Sequence, residues 1–442
     1  MRLPNSRTAA CVCVLLLLVI AVSAILVFRF ATGGADTEQT GEAASNTSDA
    51  VPEKAEIRHG PEAEEPPEPS PPSAQPDDPS RSLTPVTVQE LNTERISGNE
   101  IRLTWPDADD ALVSAYLVLR KTISDGGASG WETVASVASD GTVSGDANTY
   151  TDVLDSDTAR QFAYRVDVEP LDGARYTGRA GRAVPASNVL ICIDPGHYAG
   201  VSPLSGENLY GYTEGDFTLQ LGLKLKQILK EEYGIDSRMT RETGSIQIGG
   251  YTNSELDNHH ISLRGQYAEG CDFFLSLHTN ANEDNANGYP TCNQPVAANK
   301  TLVIVNEPAT RSDAAIALAS AVGERLSEVS YRQGLSVSPD FSTAHDSAGI
   351  VSWTKAFNDA LNTPGAVCQR MGETGDYYGV LRGAANVGVP GAIIEHGLHT
   401  IAEVRQAAME GNLTDLWAAA DAAGIAYGFG FLTISETADL QT

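Results

Sequence analysis

The sequence predicts an all-β sandwich followed by an α/β domain, whose mostly parallel sheet carries helices on both faces, behind an N-terminal transmembrane or signal helix. Three observations predict this. Residues 1–33 contain a long uncharged apolar stretch behind two arginines. Residues 83–188 contain short alternating strands parted by turn residues. Residues 189–431 alternate apolar strand-like runs with amphipathic helical ones.

In the first segment, Arg2 and Arg7 precede a run from Thr8 to Phe28 without any charged residue. Such a run is long enough to cross a bilayer as a helix, and positive charge ahead of it favours a cytoplasmic N-terminus. An uncleaved signal anchor is favoured over a cleaved signal peptide, whose apolar core is usually shorter. On either reading everything after residue 35 is exported. Residues 34–82 are rich in Pro, Glu, Ser, Ala and Asp and poor in large apolar side chains. They cannot bury enough surface to offset ordering, so a disordered, self-repelling acidic linker is expected.

The formal net charge of -29 over 442 residues excludes binding to nucleic acid, or to an anionic membrane surface, through a basic patch. Of the six cysteines, Cys11 and Cys13 lie in the apolar segment. Cys192 and Cys271 adjoin apolar strand-like runs and are expected as free buried thiols. Cys292 and Cys368 sit in loop-like stretches of an exported domain, which leaves a bridge between them open.

Residues 83–188 include "NEIRLTWPD", "AYLVLRKT", "WETVASV", "NTYTDV" and "FAYRVDVEP", separated by Gly, Asp and Ser turns. This spacing is that of a β-sandwich. The stretch resembles a fibronectin type III domain, with Trp105 and Tyr116 on early strands and Tyr164 on a late one, all expected in the core. The resemblance implies a spacer or binding module.

From residue 189 the pattern changes. "VLICIDPGH" reads as a buried strand stopped by Pro195 and Gly196, with His197 just beyond. In "DFTLQLGLKLKQILKEEYG", Phe217, Leu221, Leu225 and Ile228 or Leu229 share one face of a helix that ends at Gly234. "ISLRGQYAEG" reads as a short helix capped by Ser262. "DFFLSLHTNAN", "TLVIVN" and "GAIIEHG" read as buried strands, with helices over 311–329 and 413–427 and a tail over 432–442.

Three of these strands run into an ionisable residue: His197, His278 and Glu395. The carboxyl ends of parallel strands share one edge of the sheet, so the three converge where a ligand crevice forms. Two imidazoles and a carboxylate fit a zinc site with a general base. Glu214 heads the helix after the His197 strand and is the favoured third ligand. Its competitor Glu207 lies farther out in a Gly-rich loop.

The ordered set "IDPGH", a Glu leading a helix, "SLRGQYAEGCDFFLSLHTNAN" and "GVLRGAANVGVPGAIIEHG" resembles the zinc-dependent N-acetylmuramoyl-L-alanine amidases of the amidase_3 family over nearly all of 189–431. The resemblance implies zinc ligands at His197, Glu214 and His278, a catalytic Glu395, and a structural or supporting ion pair at Arg264. It implies peptidoglycan as substrate, cleavage between the lactyl group of N-acetylmuramic acid and L-alanine, and action in the extracytoplasmic envelope. Two departures stand out. His396, Gly397 and Leu398 follow the catalytic Glu where many members carry a small residue, Gly and Phe, and the stretch 284–376 is longer than a minimal member needs.

The chemistry follows from the residues. Zinc lowers the pKa of bound water from 15.7 to about 7 and polarises a carbonyl, while Glu395 moves the proton to the leaving nitrogen. No nucleophilic Ser or Cys is needed. His396 and His399 stand close enough to orient Glu395, and Asn280 is a candidate for substrate contact or a backbone cap. His259, His260 and His345 read as loop residues. Two other functions stay open on the residues alone: a zinc peptidase of related layout, and an inactive wall-binding protein.

Overall fold

The computed structural model describes residues 86–88, 90–108, 112–124, 127–140, 147–171, 180–201, 211–281, 299–336, 351–352, 366–410 and 412–433. The expected apolar span 1–33, the linker 34–82, Glu207, Cys292, His345 and most of the 432–442 tail lie outside these residues. Among the described residues, no helix is long and apolar enough to cross a membrane.

The first part is built from β1 (Asn92–Ser97), β2 (Glu100–Pro106), β3 (Val113–Ser124), β4 (Gly127–Ala128), β5 (Glu132–Ala138), β6 (Ala147–Val153), β7 (Gln161–Pro170) and β8 (Val184–Ser187). One antiparallel sheet has the order β1-β2-β6. The other has the order β4-β3-β7-β8, with β5 also on β3. Alternation places Ile101, Leu103 and Trp105 of β2 on one core with Tyr116 and Val118 of β3 and Phe162, Tyr164 and Val166 of β7. The two antiparallel sheets share this core, and Trp105, Tyr116 and Tyr164 lie in it.

No linker separates this sandwich from the next part, because β8 is followed within three residues by β9 (Leu190–Pro195). The junction residue Asn188 donates through Nδ2 to the carbonyls of Gly98 (2.7 Å) and Thr158 (2.9 Å) and accepts from Arg160 N–H (2.7 Å).

The α/β part continues with α1 (Glu214–Tyr233), β10 (Asp236–Met239), β11 (Gln247–Ile248), β12 (Tyr251–Thr252), α2 (Asn253–Asn258), α3 (Ser262–Gln266) and β13 (Phe273–Asn280). Next come β14 (Leu302–Val305), α4 (Glu307–Thr310), α5 (Asp313–Arg332), β15 (Val351–Ser352), β16 (Ala366–Gln369), β17 (Met371–Gly372) and β18 (Gly375–Asp376). The last elements are α6 (Gly379–Asn386), β19 (Gly391–Leu398), α7 (Ala402–Met409) and α8 (Asn412–Phe429). Ile261, not Ser262, occupies the N-cap of α3, and Ser262 is its first residue.

The central sheet has the order β10-β9-β13-β19-β14-β16-β15. The strands β10, β9, β13 and β19 are mutually parallel, β14 is antiparallel to β19, and β16 and β15 follow the direction of β14. The sheet is therefore mixed rather than mostly parallel. Leu302 pairs with Glu395, so β14 starts at the edge where β13 and β19 end and runs back. An apolar run carries no mark of direction, which is why "TLVIVN" did not reveal this.

Both faces are covered, as the unbroken apolar runs require. Ile191, Ile193, Leu275, Leu277, Val303 and Ile394 pack under α1, α5 and α8. Alternate residues of the same strands, Cys192, Phe274, Leu302, Ile304 and Ile393, pack under α6. Cys368 belongs to this second core. It is a free, fully buried thiol on β16 and not the loop residue expected for a bridge to Cys292.

The sandwich and the α/β part are tied by polar contacts. Gln161 donates through Nε2 to the carbonyls of Tyr233 (3.1 Å) and Leu432 (2.7 Å), and its Oε1 accepts from Leu432 N–H (2.8 Å). Arg95 N–H donates to Asp236 (2.6 Å), and Lys230 joins Asp236 (2.7 Å) to the Thr93 carbonyl.

Candidate active site and metal centre

Parallel pairing sets the levels of the site. Ser276 is opposite Asp194, and His278 is opposite Glu395. Beyond Pro195 the chain turns at Gly196, where a Cβ would come within 2.4 Å of the His278 ring, so only glycine admits that ring. His197 follows with φ of 58°, a left-handed conformation uncommon for a residue with a side chain. Such a backbone persists where its surroundings over-determine it. Arg241, buried, supplies part of that constraint by donating to the carbonyls of Pro195 (3.0 Å), Gly196 (3.0 Å) and Gly215 (2.6 Å).

Glu214 is the first residue of α1 and is buried. Its Oε2 lies 3.5 Å from His197 Nε2, and its Oε1 lies 3.0 Å from His278 Nδ1 while accepting the Thr279 N–H (3.0 Å). The histidine rings meet edge to face at 4.9 Å. One donor atom from each of His197, Glu214 and His278 lies within 4.8 Å of the others, so the three can surround one metal ion. Two imidazole nitrogens and a carboxylate oxygen are a donor set suited to zinc, which takes such ligands at tetrahedral corners.

Charge in the cluster follows the geometry. Burial works against ionisation of Glu214, but His197 and His278 outweigh it and hold the carboxyl well below its usual range. Burial also opposes a charged His197, yet the Glu214 and Asp257 carboxylates raise it to about 10. Glu395 behaves oppositely. Burial and the Glu214 charge push it up to about 8 against the pull of His197, and its Oε2 has no hydrogen-bond partner among the described residues.

Four of the expected site residues, His197, Glu214, His278 and Glu395, thus stand at one edge of the sheet. The model of N-acetylmuramoyl-L-alanine amidase, Amidase_3, matches residues 191–427. The chain belongs to this amidase family.

Among solved structures, the catalytic domain of CwlV, an N-acetylmuramoyl-L-alanine amidase from Bacillus (Paenibacillus) polymyxa var. colistinus, is 17% identical, with a TM-score of 0.35, over 54% of this chain and 97% of that one. AmiC2 of Nostoc punctiforme is 18% identical, with a TM-score of 0.35, over 55% and 97%. The CwlD amidase from Clostridioides difficile, solved with the GerS lipoprotein, is 16% identical, with a TM-score of 0.36, over 55% and 98%. Comparison with curated proteins finds no match.

The other expected residues have partners of their own. Arg264, fully buried, donates to Asp194 through Nε (3.0 Å) and Nη2 (2.9 Å), to the Pro195 carbonyl (2.7 Å), and to Asp257 through Nη1 (2.9 Å). Asn280 accepts the next N–H, that of Ala281 (2.8 Å), as a local backbone cap. His396 is fully buried and cannot reach a substrate. Its Nδ1 donates to the His278 carbonyl (3.0 Å) and its Nε2 meets Asp421 (2.8 Å). His399 bonds to the Thr279 hydroxyl (3.0 Å) and stacks on Tyr212. Both histidines therefore brace β13.

Sequence reasoning passed over Asp194, Arg241 and Asp257. Asp194 had a signal: a carboxylate inside an apolar strand, on the inward face, must be paired. Arg241 and Asp257 had none, because their partners are distant in sequence.

Proposed function

We propose that the chain is a zinc-dependent amidase that hydrolyses the bond between N-acetylmuramic acid and the L-alanine of the peptidoglycan stem peptide. The observation that carries this reading is the group His197, Glu214 and His278, within 4.8 Å of one another, beside Glu395 on the next strand. Zinc held there supplies a Lewis acid for the amide carbonyl and brings the acidity of water toward neutrality.

The residues of the chain do the rest. Glu214 contributes a negative charge and accepts Thr279 N–H, which fixes it between the two imidazoles. Glu395 accepts a proton from the attacking water and returns it to the leaving nitrogen. Without metal, burial and the Glu214 charge raise this carboxyl to about 8, and its Oε2, without a partner among the described residues, is the atom that can take up and return the proton. No covalent intermediate is involved. The site acts outside the cytoplasm, where the wall lies, and the fibronectin type III-like sandwich serves as a fixed spacer.

The full chain, incubated with purified sacculi and zinc, is expected to release stem peptides with new L-alanine amino termini. Chelation or Glu395→Gln abolishes release. Undiminished release by the Glu395→Gln protein overturns the assigned role, and new termini at another stem residue identify a peptidase instead.

A further inference from the structure

We infer that Asp257 is the positioning residue of this centre: it holds His197 by Nδ1 so that Nε2 is the atom offered to the metal. The inference rests on the zinc reading above.

His197 Nδ1 lies 2.9 Å from Asp257 Oδ2. The other carboxylate oxygen, Oδ1, accepts from Arg264 Nη1 at 2.9 Å, and Arg264 is anchored in turn on Asp194 and the Pro195 carbonyl. The side chains of His197, Asp257, Arg264 and Asp194 are 16%, 8%, 2% and 0% exposed, so water does not compete for these contacts. A carboxylate whose other oxygen is occupied by a guanidinium can only accept. His197 therefore donates through Nδ1, and Nε2 is the nitrogen whose proton a metal would displace. That nitrogen is the one facing Glu214 at 3.5 Å.

The two histidines differ in how they are held. His278 sits within β13, in register with Glu395, and its carbonyl is fixed by His396. His197 lies past the strand end, on a left-handed turn, where backbone pairing no longer fixes the ring. A side-chain anchor is what the ring needs there. Asp257 is delivered to it by α2, whose capping box joins Thr252 to Glu255 and whose fully buried Leu256 pins the helix to the domain. A carboxylate behind a metal-binding imidazole fixes its tautomer and orientation, and losing it weakens the metal by about 10- to 100-fold.

The test uses the full chain. Zinc affinity is measured by chelator competition for the natural protein, Asp257→Asn and Asp257→Glu, and the ring nitrogens of the zinc-loaded natural protein are read by NMR with labelled histidine. Asp257→Asn is expected to weaken zinc about 10- to 100-fold with partial recovery in Asp257→Glu, and His197 is expected to be protonated at Nδ1 and metal-bound at Nε2. A natural protein that takes up no zinc overturns the metal reading itself. A natural protein that binds zinc while Asp257→Asn binds it equally well, or whose His197 binds through Nδ1, overturns the role of Asp257 alone. An Asp257→Asn protein that melts lower without zinc yet binds it unchanged when folded marks a structural ion pair and likewise overturns it. If that variant does not fold, the ring assignment in the natural protein decides.

Discussion

Arg264 and Asp194 form an ion pair at 2.9 Å with both side chains almost wholly removed from water. The guanidinium reaches Asp194 Oδ1 through two nitrogens, Thr240 donates to the same oxygen (2.6 Å), and Ser276 donates to Oδ2 (2.7 Å). The buried carboxylate is thus fully satisfied. Removing one partner leaves an uncompensated charge, which typically costs about 3–5 kcal/mol. Arg264→Ala is expected to lose that much in equilibrium denaturant unfolding of the metal-free chain, and a loss below about 1 kcal/mol contradicts the pairing.

The same carboxylate predicts a direction with pH. Burial alone raises Asp194, but Arg264, Thr240 and Ser276 outweigh it and the net shift is downward. A carboxyl depressed in the folded state stabilises the fold above its unfolded value of about 3.9 and ceases to do so as pH falls through the folded value. Asp257 is depressed too, with His197 and Arg264 overcoming its burial. Unfolding free energy is therefore expected to fall on acidification below about pH 4, and the fall should be shallower in Asp194→Asn. Parallel curves for the two proteins count against the assignment.

Much of this architecture was legible because buried strands and amphipathic helices write period into sequence. Phe217, Leu221, Leu225 and Leu229 lie on the buried face of α1, and Gly234 ends that helix with φ of 70°, as the pattern required. His197 was legible as lying just past a strand end and Glu214 as a helix start, whereas β13 and β19 run on beyond His278 and Glu395. What stayed hidden depends on chain direction or distant pairing: the reversed β14, the buried place of Cys368, and Asp257, whose partner His197 is 60 residues away. No local pattern encodes such contacts.

Gly234 also reports on the junction with the sandwich. A Cβ there would lie 2.3 Å from the Ala186 backbone nitrogen, and the left-handed φ is itself unfavourable for any other residue by about 1–2 kcal/mol. Gly234→Ala must move β8 away from α1, which strains the Gln161 and Lys230 contacts beside it. The expected loss exceeds about 2 kcal/mol, read as a lower melting temperature, together with faster proteolysis between the sandwich and the amidase part. A variant that melts unchanged means that the two parts are not packed as described.

His396 and Asp421 test the support beneath His278. The His278 carbonyl can only accept, so His396 Nδ1 carries a proton, and Nε2 shares another with Asp421 across 2.8 Å, both side chains having no exposure. Burial raises Asp421 despite the opposing pull of His396. In His396→Leu that pull is gone, and Asp421 loses the partner of its Oδ2 while its Oδ1 is already without one among the described residues. A carboxyl raised further in the folded state costs stability above its unfolded value of about 3.9, so this variant should weaken as pH rises from about 5 to 8. Adding Asp421→Leu removes the charge that must be buried and should abolish that pH dependence. A double-mutant cycle by denaturant unfolding at both pH values measures the coupling, and additive losses at each would show that the pair does not act as a unit.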